Sequence, residues 1–149
     1  MATYKKVLVG TDGSATATRA VDRAGAVAAD TGAQLLIVCA YWPESRQTVE
    51  DAGRALKDEG WMVVGSNPAE SVLRDAARRA RCLGATTVET LAVKGPPVDV
   101  LDQAVADCGA DLLVVGNVGL NTLAGRILGS VPQSLARRSG VDVLIVHTS

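Results

Sequence analysis

The chain has 149 residues, a formal net charge of −1 and 48% hydrophobic residues, with only 3% aromatic and no Phe. That length suits a single domain over residues 1–149, with a core of aliphatic and alanine side chains. The small net charge offers no field for nucleic acid or an anionic membrane. With no signal peptide and no apolar run of membrane-span length, the expectation is a cytoplasmic protein without a nucleic-acid or membrane partner.

From the N-terminus, the first expected strand is Tyr4 to Gly10, followed by the turn Gly10-Thr11-Asp12-Gly13-Ser14 and a helix from Ala15. That helix carries an apolar stripe through Ala20, Val21, Ala24, Val27 and Ala28. A second strand, Gln34 to Tyr41, leads into residues 42 to 66. This segment is charged, holds both tryptophans and has a short helical pattern only at Ala52 to Lys57. It reads equally as a lid or as a surface excursion. Asn67-Pro68-Ala69-Glu70 then supplies a helix cap and a first-turn proline, Val72, Leu73, Ala76, Ala77 and Ala80 a stripe, and Gly84 a stop. Thr87 to Val93 is the third strand. A helix striped by Val98, Leu101, Ala104, Val105 and Cys108 follows, then the strands Asp111 to Gly116 and Asp142 to His147. Short apolar runs alternating with helical periods predict an α/β fold, a doubly wound parallel sheet of five strands with helices on both faces.

Little in this pattern suggests catalysis. His147 stands at the end of the last strand, and no nucleophile elbow, zinc-protease motif or lysine-bearing phosphate loop occurs. Cys39, Cys82 and Cys108 are odd in number and lack a C-x-x-C pair, so they read as reduced, mostly buried residues. Arg74, Arg78 and Arg81 lie opposite an apolar stripe and read as a solvated face.

The informative stretch follows the apolar run Leu112 to Val115. Gly116, Gly119, Gly129 and Ser130 form the spacing G-x2-G-x9-G-S between a strand and a helix start at Ser130-Val131-Pro132-Gln133. Glycines let backbone N–H groups approach an anion. A helix opened by a capping serine adds unpaired N–H groups and a positive dipole end. The combination reads as a phosphate-binding loop.

On these residues the chain resembles the small, single-domain universal stress proteins. Members that bind ATP carry G-x2-G-x9-G-[ST], which Gly116, Asn117, Val118, Gly119, Leu120 to Leu128, Gly129 and Ser130 match in full. Val7 to Ser14 is similar to the family's strand and D-x-S turn, and Val141 to Val146 to its last strand, leaving only residues 42 to 66 uncovered. One departure is Val118, where the family often has arginine; Arg126 is the candidate substitute.

The resemblance implies strand order 3-2-1-4-5 and a nucleotide site where the winding reverses between the first and fourth strands. The implied binding residues are Gly10, Thr11, Asp12, Ala40, Gly116, Asn117, Val118, Gly119, Gly129, Ser130 and Val131. Ala40 would give a purine close approach. Asp12 would meet a ribose hydroxyl or nucleotide-bound Mg²⁺, unless it caps the helix from Ala15, a role equally open to Ser14. The implied ligand is an adenine nucleotide, either ATP with Mg²⁺ or cyclic AMP or AMP; the missing charge at Val118 favours the latter. The implied role is a stress-response sensor, carrier or reservoir, with ATP hydrolysis slow at most. The family's pairing through its last strand implies a homodimer, and Val143 to Val146 does lack the lysine or proline that protects an edge. The alternatives are a slow ATPase switch of the same fold, or a flavin-binding electron carrier using Trp42 or Trp61. A phosphorelay receiver would need an acceptor aspartate where this chain has Lys94-Gly95.

Overall fold

The computed structural model describes residues 3–42, 63–64, 66–116 and 130–147. The chain opens with β1 (Lys6–Gly10) and α1 (Ala15–Thr31). Ser14 caps α1, its hydroxyl accepting the Ala17 N–H at 3.2 Å, and Gly32 ends it in the left-handed region at φ 73°. Next come β2 (Gln34–Trp42), a two-residue β3 (Val63–Val64) and α2 (Ser66–Cys82). Helix α2 starts one residue before the expected Asn67 cap, so Asn67 is itself helical and Pro68 sits in the first turn. The remainder is β4 (Val88–Lys94), α3 (Pro97–Cys108), β5 (Leu112–Gly116), α4 (Ser130–Arg138) and β6 (Asp142–Val146). Ser130 is the first residue of α4 rather than the cap before it.

The five long strands run parallel in the order β4-β2-β1-β5-β6, which is 3-2-1-4-5 counted along the chain, and β3 adds to β2 at Tyr41 and Trp42. Register follows the pleat, with Val7 beside Leu35 and Leu112, and Leu8 beside Leu36 and Leu113. Alternate residues therefore serve two cores. Val7, Val9, Leu35, Ile37, Leu112 and Val114 pack under α1 and α2, whose Ala20, Ala24, Ala28, Ala76, Ala77 and Ala80 keep the helices close to the sheet. Leu8, Leu36, Val38, Leu113 and Val115 pack under α3 and Leu135 of α4. The missing aromatics are thus replaced by close approach of small side chains.

The N-terminal edge of the sheet is tied by polar contacts. Asp111 accepts the N–H groups of Lys5 and Lys6 at 2.9 and 3.0 Å, and the Tyr4 hydroxyl donates to Asp142 at 2.9 Å. Desolvation would raise the Asp111 pKa, but the Lys5 and Lys6 N–H groups outweigh it and hold the carboxyl below its ordinary value. Of the cysteines, Cys39 is buried and Cys108 half-buried, whereas Cys82, expected inside, is exposed. It lies off the Leu73, Ala76, Ala77, Ala80 stripe that faces the core.

Candidate functional site

The C-terminal edge has a different character. Winding reverses between β1 and β5, so the exits of these strands leave a crevice of the kind that accepts ligands in open α/β sheets. The turn after β1 uses up its own donors. Thr11 N–H donates to Val38 O at 2.9 Å, Gly13 N–H to Thr11 Oγ1 at 3.1 Å, and Ser14 N–H to Asp12 Oδ1 at 2.9 Å. These three N–H groups are therefore unavailable to a phosphate. What the turn offers instead is an acceptor: Asp12 Oδ2 is buried and has no hydrogen-bond partner among the described residues. Burial, the larger effect, raises the Asp12 pKa, and the hydrogen bonds to Ser14 only partly oppose it. The nearby Cys39 thiol is pushed up to about 12, first by burial and then by the Asp12 charge, so it is inert as a nucleophile at neutral pH. A second orphan stands at the end of β2, where the buried Trp42 Nε1–H lacks a partner among the described residues. One acceptor and one donor at this edge call for a polar ligand or ordered water.

Packing explains two of the glycines here. A Cβ on Gly10 would come within 2.8 Å of Leu101 Cδ1, so this position is small to let α3 close on the strand exit. Gly13 holds φ +83°, and a Cβ there would lie 2.9 Å from Val72 Cγ2 of α2. Beside the turn, a cleft of about 230 Å³ opens between α1 and α2, lined by Thr11, Thr18, Ser71, Asp75 and Arg79 among others. Arg79 is held by a two-pronged pair with Asp22 at 2.9 and 2.7 Å.

Residues 3–147 match the family model described as the universal stress protein family. The chain belongs to the universal stress protein family. It is 52% identical to the universal stress protein Rv1636 of Mycobacterium tuberculosis H37Rv over 100% of both chains. The crystal structure of that relative aligns with a TM-score of 0.63 at 44% identity, covering 100% of this chain and 99% of the other. A crystal structure of a universal stress protein in complex with cAMP aligns with a TM-score of 0.75 at 49% identity over 98% of each chain.

In this universal stress protein, Gly10, Thr11 and Asp12 leave β1 together, and Ser14 rather than Asp12 caps α1. Gly116 ends β5, paired with Val146. Ser130 and Val131 open α4. Asn117, Val118, Gly119 and Gly129, with Arg126 and the segment expected at Ala52 to Lys57, lie outside the described residues. Ala40 is at the right end of β2, but the residue is only 1% exposed and belongs to the core layer of Val100 and Leu101, so its methyl is a core group rather than an open wall for a base. Thr11 is equally buried, and its hydroxyl oxygen already accepts the Gly13 N–H. The orphan indole of Trp42 was not anticipated as a polar group; its signal was an aromatic with a donor just past an apolar strand. Asp12 is the residue expected to meet a nucleotide-bound Mg²⁺, and its surroundings are these. The described residues contain no group of three or more acidic, His or Cys ligands, and one oxygen of Asp12 is committed to Ser14.

Proposed function

We propose that this universal stress protein binds an adenine nucleotide across the β1 and β5 exits, preferring cyclic AMP or AMP to ATP, and serves as a cytoplasmic sensor, carrier or reservoir. The observation that carries the reading is the buried Asp12 Oδ2, unpartnered among the described residues. An acceptor in that position takes a donor, and a nucleoside supplies ribose hydroxyls and the adenine amine. The nucleoside end therefore belongs at Asp12, and the phosphate at Gly116 and the start of α4, where a helix N-terminus favours an anion. Support also comes from the relative at 49% identity crystallised with cAMP. Cyclic AMP carries a single negative phosphate and needs no metal, which suits a chain with Val118 before the second loop glycine and no cluster of three metal ligands among the described residues. ATP hydrolysis is slow at most, because the sequence has no catalytic base motif and no lysine in the glycine loop.

Isothermal titration of nucleotide-free protein with cAMP, and separately with ATP and Mg²⁺, tests this. The expected result is saturable cAMP binding, tighter than that of ATP, and lost in Gly116→Val. Heat changes absent for both ligands would overturn the reading. We further propose a homodimer paired through β6, whose Val143, Leu144 and Ile145 remain only half-buried. Light scattering after size exclusion at micromolar concentration is expected to return the mass of two chains; a monomer alone would refute the pairing.

A further inference from the structure

Strand β4 forms the opposite edge of the sheet, two strands away from the β1 and β5 exits, and among the described residues it is paired only with β2. Leu35 N–H donates to Thr87 O and Gly95 N–H to Tyr41 O, with Leu35 in register with Val88 and Tyr41 with Lys94. In a parallel ladder alternate residues make the bonds to one neighbour, so 87, 89, 91, 93 and 95 face β2. Val88, Thr90, Ala92 and Lys94 then direct their N–H and C=O groups outward, with no ladder partner among the described residues, a template for another strand.

That free edge borders a groove of about 580 Å³ beneath α2, floored by Leu73 and Ala77 and bounded by Val88, Thr90 and Ala92. Arg74 and Arg81 stand along its α2 rim. Seven residues apart, they are separated by about 10 Å along the helix. Their neighbours on α2 are neutralised, Arg79 by Asp22 at 2.7 Å and Arg78 by Asp75 at 3.7 Å. Among the described residues Arg74 and Arg81 have neither an ion pair nor a hydrogen bond, and the only carboxylate lining the groove is Glu70.

We propose that this groove binds an extended acidic segment of a partner protein by strand addition to β4. The partner's backbone pairs with Val88, Thr90, Ala92 and Lys94, while carboxylates on its α2-facing side meet Arg74 and Arg81. Side chains on one face of an extended strand recur about every 6.8 Å. Glutamates two residues apart therefore fall within reach of both guanidinium groups. Main-chain bonds supply the affinity and the arginines the selectivity for acid.

The probe is a fluorescein-labelled octapeptide alternating Glu with Val, titrated into the full chain and followed by anisotropy, with a Lys-Val peptide as charge control. Saturable binding of the acidic peptide is expected in the micromolar range. It should weaken at least ten-fold in the double variant Arg74→Glu, Arg81→Glu, whose exposed side chains leave the melting temperature unchanged. Methylating alternate amides of the peptide, which removes its donors to β4 without altering the protein, should abolish binding. Amide exchange should slow at Val88, Thr90 and Ala92 in the complex. Equal binding of the Lys-Val peptide, retained binding by the methylated peptide, or no acidic binding at all would each overturn the proposal. So would loss of dimer rather than of peptide in the double variant, since that would make the groove a contact between copies.

Discussion

Asp12→Asn is expected to weaken cAMP binding by about 10- to 100-fold, while the nucleotide-free variant gains stability relative to the parent as pH rises. The binding loss corresponds to about 1.5–3 kcal/mol for one charge-assisted hydrogen bond. Asparagine keeps an oxygen for the Ser14 N–H now held at 2.9 Å, but places an amide donor where Oδ2 now waits for one from the ligand. The stability effect follows from the raised Asp12 pKa. Below the unfolded-state value the carboxyl is protonated in both states and costs nothing. As pH climbs through the higher folded-state value, the folded protein must carry a desolvated charge that the unfolded chain carries freely, and stability falls. Asparagine has no such titration. The melting temperature of the variant minus that of the parent should therefore increase as pH rises above about 4, the ordinary value for an aspartate. Thermal scans without ligand across that range check it. A constant difference, or unchanged cAMP affinity, would remove Asp12 from the proposed role.

Leu101→Ala is expected to cost about 3 kcal/mol, within the usual 2–5 for a buried leucine, and to lower the melting temperature by about 6–12 °C. Leu101 is fully buried, at 0% exposure, in the layer between the sheet and α3. Its methyls occupy the space a Cβ on Gly10 would need, at 2.8 and 3.0 Å. Gly10→Ala alone should cost about 1–2 kcal/mol through overpacking. The double variant places the new methyl in the vacated volume, so its loss should fall short of the sum by about 1 kcal/mol. Urea unfolding of the four proteins gives the cycle. Strict additivity would show that Gly10 is not small on account of Leu101.

Local pattern was enough for the architecture, because strand and helix periods are written in consecutive side chains. The apolar runs ending at Gly10, Tyr41, Val93, Gly116 and His147 mark the strands to within a few residues, and the stripe from Ala20 to Ala28 marks the buried side of α1. The loop spacing at Gly116 was enough, with the D-x-S turn, to point to the family, since each of the two motifs is a short contiguous stretch of sequence. What depends on neighbours remote in the chain required the fold. Whether Asp12 or Ser14 capped α1 was open in sequence and was decided by backbone geometry at the turn. That Asp12 Oδ2 has no hydrogen-bond partner among the described residues arises from burial at that turn, near Cys39 of another strand.

Gly10 looked like a ligand contact by position, and only α3 crossing behind it supplies the steric reason for glycine. Cys82 and the arginines of α2 show the same limit. A helical stripe tells which side is buried, but not that Arg74 and Arg81 overhang a strand edge while Arg79 reaches Asp22. Composition and periodicity thus determined the elements and the two-layer burial, and the glycine-loop and D-x-S motifs the resemblance to the family. Tertiary packing alone decided which polar atoms were left without partners, because desolvation and pairing depend on what the rest of the chain brings alongside.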